Sequence, residues 1–144
     1  MRVAIYQYQN YSGDCPSCNQ AVVSLVRIAR EACQEKAREL FGEDCEFVIY
    51  FDRSGTRLTG ESIHNLTKRP RLQDLLGDIE QGKVDVVVMS FMADLSVEEE
   101  FIIDFYRFLK KHQVKLVTVR EGLQIMEMLD KVLELSDEKE EETE

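Results

Sequence analysis

No apolar run in this chain approaches the roughly 18 residues that a bilayer-spanning helix needs. The start, MRVAIYQYQ, lacks the basic region and apolar segment of a secretory signal, so a cytoplasmic location is expected, with no membrane partner. No glycine-rich loop follows any apolar strand pattern, which removes nucleotide binding of the Rossmann or P-loop kind. Histidine is limited to His64 and His112, neither at ligand spacing, so no metal and no cofactor are expected. Basic charge is short: 18 Lys and Arg stand against 28 Asp and Glu, a net charge of −10, which opposes binding to a phosphate backbone. The last eight residues, DEKEEETE, hold six acids and one lysine, yet the body stays acidic without them. No internal repeat or linker interrupts the chain.

What is present suffices for a folded domain. The 144 residues, 44% of them hydrophobic, make one domain with a real core. Residues 3–6 read as a strand and 7–19 as a polar loop. Residues 19–41 read as a long amphipathic helix on the stripe Val22, Val26, Ala29, Cys33, Ala37 and Leu40, capped by Gly42. On that stripe Cys33 is a buried thiol. Residues 46–51 make a second strand, and 52–68 a long polar loop, of a length that is often functional. Arg53, Arg57, Lys68, Arg69 and Arg71 gather around it as a local basic face.

The stretch 69–96, RPRLQDLLGDIEQGKVDVVVMSFMADLS, organises the rest. Pro70 suits a first helical turn, and Leu72, Leu75, Leu76 and Ile79 recur at helical spacing. Gly82 ends that helix. Residues 84–89 read as a strand buried on both faces, with Asp85 a strand-end residue. Ser96 and Glu99 form a capping box opening a helix over 97–111, with Phe101, Ile102, Phe105, Phe108 and Leu109 on one face. Residues 115–119 make a fourth strand. Alternating strands and helices predict a single α/β domain. Its mainly parallel sheet has four or five strands, with helices on both faces and a long C-terminal helix. It spans 1–136 and is followed by an acidic, disordered tail at 137–144.

These pieces, in this order, resemble the catalytic domain of serine recombinases, the resolvase/invertase family. Family members carry "RP-x-L-x-x-LL-x-x-I-x-x-G-x-x-DVVVV-x-x-LDRLSR". The start MRVAIY resembles the family's first strand, and VREGL at 119–123 its "TEGI"-type step. The resemblance covers roughly residues 1–125 and implies strand cleavage by a serine hydroxyl that becomes covalently linked to DNA phosphate. Such chemistry needs a nucleophile and several cations around the phosphate.

The family's "Y-x-R-V-S" reads Tyr6-Gln7-Tyr8-Gln9-Asn10 here. Tyr8 replaces an arginine, and Asn10 replaces the nucleophilic serine. In the family's "D-R-L-x-R" step, Ala93 replaces the aspartate, Asp94 the first arginine and Val97 the second. Arg69 alone matches a family catalytic position. Losing one preorganised donor costs about 100- to 1,000-fold; this chain lacks several, and the nucleophile. The expectation is a serine recombinase pseudoenzyme from a mobile element, a non-catalytic dimer or interaction module linked to DNA recombination. The alternative is an active divergent recombinase using Ser12 and Arg69, although Ser12 beside Gly13 also reads as an ordinary loop serine.

Two further features stand outside that comparison. Cys15-Pro16-Ser17-Cys18 lies between the first strand and the first helix, as a thioredoxin-like C-x-x-C pair does, which makes thiol–disulfide exchange through Cys15 and Cys18 a second alternative. A zinc site there needs two more ligands. With two prolines in all, the second proline of a thioredoxin fold has only Pro70 to supply it. The last apolar segment, 122–135, carries Ile125, Met126, Leu129, Val132 and Leu133, more apolar surface than one sheet contact needs. A homodimer through this helix, or a heterodimer with an active recombinase, is expected. In the family a separate DNA-binding domain follows this helix. Here the acidic tail follows, so DNA binding by this chain alone is not expected.

Overall fold

The computed structural model describes residues 1–9, 16–53, 62–66 and 68–142, with side chains for all of these except 16–19 and 136–142. The chain runs β1 (Arg2–Gln9), α1 (Pro16–Phe41), β2 (Glu46–Arg53), α2 (Pro70–Glu80), β3 (Val86–Met89), a 3-10 turn (Met92–Asp94), α3 (Glu99–Lys111), β4 (Lys115–Thr118) and α4 (Gln124–Glu142). The four strands form one parallel sheet in the order β2-β1-β3-β4. β1 pairs with β2 from Arg2↔Glu46 to Gln9↔Arg53, and with β3 from Val3↔Val86 to Ile5↔Val88.

Alternation along β1 separates two cores, because successive side chains point to opposite faces. Val3 and Ile5 join Val86, Val88 and Val117 under α1, which contributes Cys33 and Ala37. Ala4 and Tyr6 join Val87, Met89 and Leu116 on the other face. There Leu72 and Leu75 of α2, Phe105 and Leu109 of α3, and Ile125 and Leu129 of α4 close the core. Helices therefore cover both faces of one α/β domain, α1 alone on one side. Both central strands are buried on both faces, which is why the sequence of β3 shows an apolar run and no alternation.

Several boundaries differ from the sequence reading. β2 continues to Arg53, so Asp52 belongs to a strand and not to the loop. The apolar run at 84–89 narrows to a ladder over Val86–Met89, because Asp85 accepts the Arg2 backbone N–H at 2.8 Å and marks the strand end. The Ser96–Glu99 capping box does not form. Ser96 follows the 3-10 turn, its N–H bonding to Met92 O at 3.0 Å, and its hydroxyl accepts the Glu98 N–H at 3.0 Å. The extended backbone at Glu98 then starts α3 three residues after Ser96. Gly82 does close α2, at φ +73°. Its N–H bonds to Ile79 O and the next N–H, of Lys83, to Asp78 O, the paired pattern of a Schellman end. α4 carries helical backbone as far as Glu142, beyond the apolar pattern, in keeping with the high helix propensity of Glu and Lys.

Candidate functional site

Parallel α/β sheets gather their chemistry at the carboxyl ends of the strands. Here that edge is built by the ends of β1 and β2, the residues after β3 and the start of α2. Arg69 precedes α2 and is a poor N-cap residue; no side chain of its own region caps the helix. The cap comes instead from across the sheet. The Asp52 carboxylate, 3% exposed, accepts the Arg71 N–H at 2.9 Å, the Leu72 N–H at 3.0 Å and the Tyr6 hydroxyl at 3.0 Å. A carboxylate there also meets the positive end of the helix dipole. This cap fixes where α2 starts and so where Arg69 stands.

Arg69 itself is 3% exposed. Its guanidinium carbon lies 4.8 Å from the centre of the Tyr8 ring and 5.6 Å from that of Phe101. A guanidinium stacks well on aromatic faces because its plane is weakly hydrated. Burial drives the Tyr6 phenol well above its ordinary pKa; the Arg69 charge acts against this, and the Asp52 carboxylate with it. Asp94, on the 3-10 turn, is pushed up to about 6 by burial, against the Phe91 backbone N–H and the charge of Arg69.

The structure thus brings three of the sequence-predicted positions, Tyr8, Arg69 and Asp94, into one neighbourhood. Ala93 and Val97 face solvent, Val97 at 86% exposure. Asn10, Ser12 and Cys15 lie outside the described residues, as does the side chain of Cys18. The local basic face is reduced: Arg69 is buried, Arg71 pairs with Asp74 at 2.9 Å, and Arg57 lies outside the described residues. The proposed dimer residues divide. Ile125 and Leu129 are buried in the chain's own core, and Met126 and Leu133 pack against it. Val132 is half-buried, between the exposed Met128 and Leu135.

Sequence reading missed Asp52, Tyr6 and Phe101. One signal for Asp52 was available: a helix starting Arg-Pro has no local cap, so its amides need a partner from elsewhere. Among the described residues no group of three His, Cys, Asp or Glu side chains is placed to hold a metal ion. Nor is any helix long and apolar enough to cross a membrane.

Among the described residues, a parallel 2-1-3-4 sheet with one helix on one face, three on the other and an Arg-Pro step into α2 defines the class as a recombinase-like α/β domain. Residues 23–137 match the family described as "Resolvase, N terminal domain", and the chain belongs to that family. Among solved structures it is similar to a resolvase family site-specific recombinase from Streptococcus pneumoniae, with 17% identity and a TM-score of 0.64, over 99% of this chain and 92% of that one. It is also similar to the N-terminal catalytic domain of TP901-1 integrase, with 18% identity and a TM-score of 0.57, over 97% and 99% of the two chains. A third similarity is to the C-terminal catalytic domain of ISC1926 TnpA, an IS607-like serine recombinase, with 20% identity and a TM-score of 0.51, over 83% and 67%. At these identities the likeness concerns the fold. No curated protein matches by sequence.

Proposed function

We propose that this resolvase-family domain has lost strand cleavage and acts as a non-catalytic, dimeric interaction module linked to DNA recombination. The observation that carries the reading is the state of Arg69. The one side chain matching a family catalytic position is buried between the Tyr8 and Phe101 rings, away from any phosphate arriving from solvent. Beside it stands the Asp94 carboxyl where the family has an arginine. Once ionised, that carboxylate repels phosphate, whereas an arginine would hold it. The stripe of Met128, Val132 and Leu135 on α4 supports the dimer. These positions recur four and three residues apart, as in a helix–helix seam.

The purified chain should leave supercoiled plasmid uncut and form no covalent protein–DNA adduct on a denaturing gel. The Arg69 side-chain NMR signal should also stay in place when short duplex DNA is added. An adduct mapping to Ser12, or a shift of Arg69 on adding DNA, would overturn the reading and favour an active divergent enzyme.

A further inference from the structure

A cavity of about 460 Å³ opens between α1 and the carboxyl ends of the strands. In the order β2-β1-β3-β4 the strands stay parallel, but the direction in which successive strands are added reverses between β1 and β3. The cavity sits at that reversal, where open α/β sheets leave a crevice for ligands. Its walls are apolar: Ile28 and Ala32 from α1, Phe51 from β2, Phe91 after β3 and Val119 after β4. Ile28 and Phe91 are exposed, at 62% and 63%.

One buried polar group on this lining lacks a strong partner. Ser90 is 7% exposed, and the one hydrogen-bond contact of its hydroxyl among the described residues is the Cys33 thiol at 3.7 Å, a weak donor and acceptor. Asp94 also lines the cavity, its carboxyl accepting the Phe91 backbone N–H beside Arg69. Buried polar groups are nearly always satisfied, and an apolar cavity with a few convergent polar groups is the usual form of a small-molecule site.

We propose that this cavity binds a flat, uncharged aromatic molecule with a hydrogen-bonding edge, its ring between Ile28, Ala32 and Phe91 and its edge toward Ser90. Charge is excluded from both sides. Arg120 on the lining opposes a cation and Asp94 an anion, and either would lose its hydration among apolar walls. The site stands on the cavity and its lining, whatever the catalytic state of the domain.

Indole is the probe, with tryptamine and indole-3-acetate as its cationic and anionic counterparts. Indole should bind saturably and shift the NMR signals of Ala32 and Phe91. Ser90→Ala should weaken binding about three- to tenfold, the size of one ordinary hydrogen bond. Ala32→Phe should abolish it by filling the cavity, with the circular dichroism spectrum unchanged. Since Ala32→Phe could fail to fold, Ser90→Ala carries the test independently. No saturable indole binding, equal binding by Ser90→Ala, or preference for either charged counterpart would overturn the proposal.

Discussion

Asp94 holds a charge where the fold gives it little water. Its folded-state pKa is raised to about 6 from 3.8, chiefly by burial. A raised carboxyl binds its proton more tightly folded than unfolded. Stability therefore falls as pH rises from about 4 to 6, and the penalty is complete above that. Asp94→Asn removes the ionisation and should stabilise the domain near pH 7.5 by about 1–2 kcal/mol, after allowance for partial solvent exposure. Denaturant melts between pH 4.5 and 7.5 check this; the gain should grow with pH and level off above 6. A gain independent of pH would mean that burial is not what disfavours the carboxylate. Asp52 instead accepts three hydrogen bonds at the start of α2. Asp52→Ala strands the Tyr6 hydroxyl and two α2 amides, and should cost about 3–5 kcal/mol in chemical denaturation.

At the scale of elements, α2 and α4 show how far a pattern reaches. The spacing of Leu72, Leu75, Leu76 and Ile79 predicts the buried face of α2, and all four are buried. Gly82 ends it as expected, because a left-handed residue is needed there and glycine takes that conformation without strain. The start of α2 was legible only as Pro70. Its cap lies 19 to 20 residues back in sequence, a distance no local motif encodes. In α4 the apolar residues were legible but their allegiance was not. Ile125 and Leu129 go to the core, held further by Tyr106 donating to Asp130 at 2.8 Å and Lys110 at 2.7 Å from the same carboxylate. That leaves Met128 and Leu135 exposed and Val132 half-buried, the face of α4 proposed for the dimer. Met128→Glu with Leu135→Glu should convert a dimer to a monomer in sedimentation, with the melting temperature of the monomer fold little changed. An unaltered sedimentation coefficient for the double variant would remove α4 as the interface.

For the whole molecule, the charge and the fold answer different questions. A net charge of −10 weakens attraction to nucleic acid everywhere on the surface, and that was available from composition. The parallel sheet, its helices on both faces and the order of elements were legible because hydrophobic periodicity is local: two for a half-buried strand, 3.6 for a helix, none for a strand buried on both faces. The motif comparison also singled out Tyr8, Arg69 and Asp94, which the fold brings into one neighbourhood. It could not say that Arg69 turns inward between two rings. Phe101 arrives from α3, 32 residues further on, and nothing in a linear pattern says which aromatic will stack on which guanidinium. The cavity at the β1–β3 reversal was invisible for the same reason, since its lining comes from five separate segments.

The sequence by itself determined the class of fold, the helical faces and the acidic character, because each is written in neighbours along the chain. The tertiary structure alone decided that Asp52 caps α2, that Arg69 is buried, that Ser90 and Tyr8 line a cavity and which face of α4 is left uncovered. Those outcomes depend on which surfaces meet when sheet and helices pack, and packing joins residues that the sequence keeps far apart.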